Sequence, residues 1–297
     1  MNQQLPGTEI SNPRTSNLDQ MSTLEMLQTI NREDAQVAVA VQACIPQIAE
    51  AVDAAADRLR RGGRLFYIGA GTSGRLGVLD ASECPPTFSV KPELVTGLIA
   101  GGDRALRWPV EGAEDNPEQA KLDLQTAGLT EKDCLVGLSA GGSAPYVLGA
   151  LQYGHEIGAL CIGIACVKPA ALNQHAHISI LAVTGPEVLT GSTRLKAGTA
   201  QKMILNMLST SVMVRLGKTY GNLMVDLQAS NQKLRLRAIR LVTQICEIGE
   251  DEARELLIQC GWQVKTAAAA WFLRSTPQKA REALEEAGGM LRKVIQS

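Results

Sequence analysis

The spacing of apolar and polar residues divides the chain into three stretches. Residues 1–20 are polar and interrupted by glycine and proline, which predicts an extended arm. Ser22–Glu25 has the pattern of a capping box that begins a helix, and apolar residues then recur at helical spacing over residues 33–60. From residue 64 short apolar runs alternate with helical patterns, and beyond about residue 237 the pattern is wholly helical.

The alternating central stretch predicts an α/β fold. Its buried strands are expected at residues 64–68, 94–99, 134–138, 159–164 and 178–182. Strands that alternate with helices form a doubly wound, mostly parallel sheet covered on both faces. The helical patterns before and after it predict an N-terminal helical segment and a small C-terminal helical bundle. The predicted divisions of the chain are 1–54, 55–236 and 237–297.

Composition narrows the classes of partner. The formal net charge is −1 and aromatic residues make up 3% of the chain, so neither nucleic acid nor a membrane is an expected partner. No apolar run is long enough to span a bilayer, and the polar N-terminus lacks the apolar centre of a signal peptide, so we expect a cytoplasmic protein. The seven cysteines are scattered and include no CxxC pair, which is typical of free thiols in a reducing compartment.

A glycine-rich turn, Gly69–Gly74, lies between the first predicted strand and a predicted helix. Glycines allow backbone N–H groups to approach an anion, and the N-terminus of a helix adds partial positive charge. The candidate phosphate-binding residues here are Gly71, Thr72, Ser73 and Gly74. The turn lacks the lysine of a nucleotide P-loop. It does fit GxGxxG, so a dinucleotide site and a plain tight turn stay open as alternatives.

Two groups of acidic residues are candidates for general acid–base chemistry. Glu83 precedes two prolines in residues 80–86, which we expect to form a stiff loop because proline disfavours the α region in the residue before it. Glu111 and Glu114 are three positions apart, which predicts one face of a helix start. Both groups follow predicted strands, so we expect them at the carboxyl edge of the sheet. The alternative is that the second group only favours a helix N-terminus.

Three runs of residues carry a resemblance to a known family: Gly69–Gly77, Asp80–Pro86 and Val110–Asp115. Shorter matching runs are Asn12–Pro13, Ser22–Glu25, Leu189–Arg194, Lys196–Lys202 and Asn222–Asp226. From about residue 10 to the C-terminus, the chain resembles the N-acetylmuramic acid 6-phosphate etherases. The run around Glu83 is far more specific than a glycine turn alone.

The resemblance implies a sugar isomerase (SIS) domain in a homodimer, with a C-terminal domain similar to a ubiquitin-associated fold. It implies a lyase that converts N-acetylmuramic acid 6-phosphate and water into N-acetylglucosamine 6-phosphate and D-lactate during recycling of cell-wall sugars. No metal or organic cofactor is implied. By resemblance, Glu83 matches the acid that protonates the departing lactate and Glu114 matches the base at C2. The glycine-rich turn matches the site of the 6-phosphate.

A second small-residue turn, at residues 139–145, departs from the family's pattern. The family's arginine position is Ser143 here, and its threonine position is Ala144. Ser139 and Ser143 retain hydroxyl groups and are further candidates for binding the phosphate, and Lys168 is a candidate replacement cation. A charge-assisted hydrogen bond contributes about 1.5–3 kcal/mol, so we expect the change to affect affinity and substrate choice more than reaction type.

Two other functions stay open at the level of the sequence. An aldose–ketose isomerase on the same fold needs one base that moves a proton between C1 and C2 and needs no leaving-group acid. The run around Glu83 argues against it. A non-catalytic sugar-phosphate sensor, similar to the glucokinase regulatory protein, would bind sugar phosphate and release no lactate. The altered second turn keeps this sensor open.

Overall fold

The computed structural model describes residues 7–227, 229 and 231–296. Its strands β1–β5 are Leu65–Gly69, Val95–Ile99, Cys134–Leu138, Leu160–Ala165 and Ile178–Leu181. Its helices α1–α13 are Thr23–Asp34, Val37–Gln42, Ile45–Arg60, Gly71–Phe88, Arg104–Arg107, Pro117–Thr126, Pro145–Glu156, Lys196–Arg215, Gln232–Cys246, Glu250–Gln259, Val264–Phe272, Pro277–Glu286 and Leu291–Gln296.

Contacts divide the chain into two compact units. The first unit is Met1–Ser82 with Glu93–Ser209, and the second is Glu83–Pro92 with Thr210–Ser297. Their boundary falls inside α4 and inside α8. The divisions predicted after residues 54 and 236 stay predictions.

The first unit contains a five-stranded parallel sheet in the order β2-β1-β3-β4-β5. Every residue of β1 and β3 is buried, because helices cover both faces of the sheet. Helix α4 packs on one face, where a Cβ on Gly77 would lie 2.9 Å from Tyr67 Cβ. Helix α7 packs on the other face, where a Cβ on Gly137 would lie 2.9 Å from Leu151 Cγ. The predicted doubly wound α/β fold is confirmed.

The sequence predicted an extended arm at residues 1–20, but residues 7–20 are folded into short 3-10 helices; residues 1–6 lie outside the described residues. These helices are Gly7–Glu9, Pro13–Thr15 and Leu18–Gln20. Long-range hydrogen bonds order them: Thr15 Oγ1 donates to Val188 O at 2.8 Å, and Asn12 Nδ2 donates to Glu33 Oε2 at 2.9 Å. The prediction failed because glycine and proline content reports local tendency, whereas these partners lie far along the chain.

The helical stretch before the sheet is divided into α1, α2 and α3. The capping box predicted at Ser22 is confirmed, since Glu25 Oε2 accepts the Ser22 N–H at 2.9 Å. Pro46 lies in the first turn of α3, where its missing N–H costs no hydrogen bond. No single helix in the described ranges is long and apolar enough to cross a membrane. One bent pair, Thr23–Gln42 with Ile45–Arg60, meets that test by length and composition only.

The second unit builds its own core from α9–α13, as the helical pattern predicted. Apolar side chains such as Ala238, Leu257 and Ala267 are fully buried there. Lys265 is also buried, and its Nζ donates to Gly289 O at 2.8 Å and to Gly217 O at 2.9 Å. The same Nζ lies 2.8 Å from a carboxylate oxygen of Asp226. Burial lowers the pKa of Lys265, and these three acceptors compensate the buried charge.

All seven cysteines are free, as the sequence predicted, and all seven are buried. Burial raises the pKa of six of these thiols: Cys44, Cys134, Cys161, Cys166, Cys246 and Cys260. Deprotonation is disfavoured in apolar surroundings, so these thiols are weak nucleophiles in the folded protein.

Candidate active site

Helix α4 begins directly after β1, and the predicted glycine-rich turn is mostly its first turn. The helix starts at Gly71, whose φ of 52° is a left-handed conformation that favours glycine. Ala70 O accepts the Gly74 N–H at 3.2 Å, which is the first hydrogen bond of the helix. The N–H groups of Gly71, Thr72 and Ser73 precede it and have no intrahelical partner. These three groups are the donors that the helix offers to an anion.

Gly69 and Gly74 allow the strand and the helix to meet backbone to backbone. A Cβ on Gly74 would lie 2.6 Å from Gly69 O and 2.6 Å from Ile99 Cγ1. The Gly74 N–H is already bonded, and this residue does not line the cavity described next. Gly74 was predicted as a phosphate-binding residue, but these contacts give it a packing role.

A cavity of about 280 Å³ in the first unit lies between the start of α4 and the turn after β3. The described residues that line it are Thr8, Glu9, Ala70, Gly71, Thr72, Ser73, Glu114, Leu138, Ser139, Ala140, Gly141, Ser143, Ala144 and Thr193. It brings together six of the eight predicted site residues, at the carboxyl ends of two neighbouring strands. No lysine, arginine or histidine is among these described residues, so the candidate cation Lys168 is not part of the wall.

A buried amide holds the hydroxyl group of Ser73. Ser73 Oγ donates to Gln201 Oε1 at 2.9 Å, and Gln201 is fully buried on α8. Among the described residues, Gln201 Nε2 has no hydrogen-bond partner. If the amide turned over, Nε2 would donate to Ser73 Oγ and the serine proton would become free to donate to an anion. Gln201 is therefore a positioning residue for Ser73. Residue-by-residue reasoning missed it, although the run Lys196–Lys202 contains it.

The turn at residues 139–145 also lines the cavity. Gly142 has a φ of 69° and donates its N–H to Ser139 O at 3.0 Å. A Cβ there would lie 2.6 Å from Ala170 Cβ, so only glycine fits. Ser139 Oγ accepts the Ala144 N–H at 3.3 Å, which leaves the hydroxyl proton to donate elsewhere. Ser143 also lines the cavity and adds a second hydroxyl group.

The two glutamates of the second acidic group are separated in the structure. Gly112, with a φ of 73°, turns the chain before a short 3-10 helix at Ala113–Asp115, and α6 begins only at Pro117. Glu114 is exposed in that 3-10 helix and lines the cavity, whereas Glu111 lines a different one. The prediction that both lie on one helix face was wrong, because the left-handed glycine reorients the chain between them.

Glu83 lies inside helix α4 and not in the predicted loop. The helix continues through Pro85 and Pro86 to Phe88, and the Ser89 N–H donates to Pro85 O at 3.0 Å. The two prolines each remove one donor near the end of the helix without ending it. Glu83 is exposed, belongs to the second unit, and is not among the residues that line the cavity of the first.

Two family models match separate parts of the chain. The glucokinase regulatory protein N-terminal SIS domain matches residues 47–155, and the C-terminal lid domain of the same protein matches residues 221–288. A parallel sheet with a glycine-rich helix start and a cavity rich in hydroxyl groups thus defines an SIS-domain protein. Among solved structures, a phosphoheptose isomerase from Francisella tularensis has a TM-score of 0.49 and 17% identity, covering 65% of this chain and 100% of that chain. Likeness at that level carries no argument about function.

Curated relatives match nearly the whole chain. A protein from Rhodopirellula baltica is 51% identical over 288 residues, which is 97% of this chain and 95% of the relative. Another from Gloeobacter violaceus is 53% identical over 284 residues, 96% of this chain and 93% of the relative. Both are named N-acetylmuramic acid 6-phosphate etherase. The chain belongs to the N-acetylmuramic acid 6-phosphate etherase family, which confirms the resemblance found in its sequence.

Proposed function

We propose that this protein is a carbon–oxygen lyase that cleaves the D-lactyl ether of N-acetylmuramic acid 6-phosphate. The products are N-acetylglucosamine 6-phosphate and D-lactate. The observation that carries the proposal is 51% identity over 97% of the chain with a relative of that name. The cavity supports it, because one wall offers donors for a phosphate and another offers the Glu114 carboxylate.

The start of α4 and the turn after β3 bind the 6-phosphate in this proposal. The backbone N–H groups of Gly71, Thr72 and Ser73 donate to phosphate oxygens, as helix N-termini commonly do. Hydroxyl groups of Ser139 and Ser143, which line the same cavity, donate to the phosphate as well. The described lining contains no cationic side chain, so oriented dipoles and neutral donors stabilise the phosphate.

The family resemblance, and not the lining of the cavity, assigns a separate role to each of two carboxylates in this proposal. In the open-chain sugar the C1 aldehyde acidifies the C2 proton. Glu114 removes that proton and Glu83 protonates the ether oxygen as the C3–O bond breaks, so D-lactate leaves. Water then adds to the unsaturated intermediate with the roles reversed: its hydroxyl bonds to C3 and C2 takes back a proton. One water molecule is consumed, and the sugar keeps its oxidation state.

The same proposal includes a homodimer that acts in the cytoplasm during peptidoglycan recycling. The family resemblance supports all three parts of this proposal, and the seven free buried thiols fit a reducing compartment. Neither nucleic acid nor a membrane is a proposed partner. Light scattering coupled to gel filtration tests the dimer, whose measured mass should be twice the chain mass of 31.7 kDa.

Release of D-lactate, coupled to D-lactate dehydrogenase, tests the reaction. We expect Glu83→Gln and Glu114→Gln to lower kcat by about 10²–10⁴-fold. Glu118→Gln is the matched control, because Glu118 is exposed at the start of α6 and does not line the cavity. Deuterium exchange at C2 of the unreacted substrate in D₂O separates the roles: we expect Glu83→Gln to keep this exchange and Glu114→Gln to lose it. Full-rate lactate release in both variants would refute the assigned roles.

A sugar-phosphate sensor is the second candidate function. Both matching family models are described from the glucokinase regulatory protein, and the second turn has Ser143 and Ala144 at the family's arginine and threonine positions. A sensor would bind N-acetylglucosamine 6-phosphate in calorimetry and release no lactate from the etherase substrate. The lactate assay on the wild-type protein therefore distinguishes the two candidates.

A further inference from the structure

The N-terminal segment contributes to the sugar-phosphate cavity. Thr8 and Glu9, in the 3-10 helix Gly7–Glu9, line the same cavity as the start of α4. Thr8 is 1% exposed, and among the described residues its Oγ1 has no hydrogen-bond partner. A buried hydroxyl without a partner is unfavourable unless a ligand or a water satisfies it. The wall of the cavity thus contains a hydroxyl that no described residue uses.

Glu9 gives the cavity a second carboxylate besides that of Glu114. Its Oε2 lies 3.3 Å from the position that a Cβ on Gly191 would take, which places the carboxylate against the turn that also supplies Thr193 to the lining. A carboxylate repels a phosphate but accepts hydrogen bonds from hydroxyl and amide groups. The natural partner of Glu9 is therefore the sugar and not its phosphate.

A buried ionic network fixes the arm that carries this pair. Asn12 Nδ2 donates to Glu33 Oε2 at 2.9 Å, and Lys196 Nζ donates to the same oxygen at 2.8 Å. Thr15 Oγ1 donates to Val188 O at 2.8 Å, which ties the 3-10 helix Pro13–Thr15 to the segment after β5. Buried groups with several directional partners have one preferred arrangement. The segment next to the cavity is therefore a fixed wall.

We propose that Thr8 and Glu9 form the sugar-binding wall of this cavity and select the amino-sugar part of the substrate. The Glu9 carboxylate accepts hydrogen bonds from sugar hydroxyl or acetamido N–H groups, and the Thr8 hydroxyl bonds the same sugar. The start of α4 and the serine turn bind the phosphate independently of them. The identity of the sugar rests on the proposed function.

Calorimetry with the product, N-acetylglucosamine 6-phosphate, tests this wall without turnover, and inorganic phosphate is the second probe. We expect Glu9→Gln to raise the Kd for the sugar phosphate about tenfold and to leave the Kd for inorganic phosphate within about twofold. Thr8→Val, which has a similar shape, should raise the sugar-phosphate Kd about fivefold, and Thr8→Ser should restore it. Glu50→Gln, at an exposed position of α3, is the matched control and should change neither Kd.

Each outcome decides the inference. An unchanged sugar-phosphate Kd in both Glu9→Gln and Thr8→Val overturns it. Equal weakening of both probes also overturns it, because the segment would then act on the phosphate or on folding, which thermal unfolding checks. If the variants show these Kd changes but the wild-type protein releases no lactate, the etherase function is refuted and the sugar-binding wall is retained. Lactate release with unchanged Kd values refutes only the wall, and a wild type that binds no sugar phosphate refutes both.

Discussion

Replacing Glu33 by glutamine removes the charge at the centre of the network that fixes the N-terminal arm. Glu33 is 3% exposed and accepts hydrogen bonds from Arg14, Lys196 and Asn12. The hydrogen bond from Arg14 is the largest cause, and with the other two donors it holds the pKa of Glu33 at about 2, well below the ordinary 4.5. Lys196 is 1% exposed, so the substitution also leaves a buried ammonium without its carboxylate.

Two independent arguments give the magnitude. The difference between the two pKa values corresponds to about 3 kcal/mol at 1.36 kcal/mol for each pH unit. Breaking a buried ion pair by removing one partner typically costs about 3–5 kcal/mol. Arg14 is largely exposed, so water screens its share and the lower value applies. We expect Glu33→Gln to lower the free energy of unfolding by about 3 kcal/mol at pH 7.

The pH dependence has a definite sign. A carboxyl group whose folded pKa is lowered stabilises the protein above its unfolded pKa, near 4.5, and loses that contribution as the pH falls towards 2. The difference between wild type and Glu33→Gln should therefore shrink from about 3 kcal/mol at pH 7 to about 1.4 kcal/mol at pH 3.

Urea unfolding at both pH values measures the effect. The matched control is Asp57→Asn, which removes the exposed ion pair between Asp57 on α3 and Arg61 just after it and should cost less than about 1 kcal/mol. A Glu33→Gln protein as stable as wild type at pH 7, or a loss that stays the same at pH 3, would refute the reasoning.

Three further substitutions have expected outcomes. Gln201→Met should raise KM about tenfold with kcat nearly unchanged. Adding Ser73→Ala should raise KM little more, because the two side chains are hydrogen-bonded and act as one unit. Additive increases in KM would contradict this coupling. Gly74→Ala should destabilise the protein by about 1–3 kcal/mol in urea unfolding, since its Cβ meets Gly69 O; a neutral result would mean that the helix shifts freely. Lys265→Met should cost about 1–3 kcal/mol, because the buried carbonyl groups of Gly217 and Gly289 lose their donor while Asp226 keeps its ion pair with Lys218 at 3.2 Å; an unchanged thermal midpoint would contradict that.

Much of the fold could be predicted because each strand carries its own signal. The apolar runs of β1 and β3 are buried along their whole length, so hydrophobicity alone located them within a residue. The capping box at Ser22 is equally local, and it begins α1 as predicted. Long-range contacts carried no such signal. The arm is ordered by partners such as Val188 and Glu33, which lie far along the chain.

The candidate site could be predicted by residue type more than by geometry. The start of α4, the serine turn and Glu114 meet at one cavity, as the edge of a parallel sheet requires. The backbone conformation around the acidic residues was predicted wrongly. The local tendencies of the prolines after Glu83 and of the glycine after Glu111 were each the reverse of what the structure shows. Proline was expected to end a helix that in fact continues. Gly112 was expected inside a helix, yet with its left-handed φ it lies before the short 3-10 helix Ala113–Asp115, and α6 begins only at Pro117.

The buried thiols can report when each part of this protein unfolds. In the folded state all seven are buried, so a reagent such as 5,5′-dithiobis(2-nitrobenzoic acid) modifies each one only when the surrounding structure opens. Four lie in the first compact unit, at residues 44, 134, 161 and 166, and three lie in the second, at residues 84, 246 and 260. The order in which the peptides become labelled would therefore show whether the two units unfold together or one before the other.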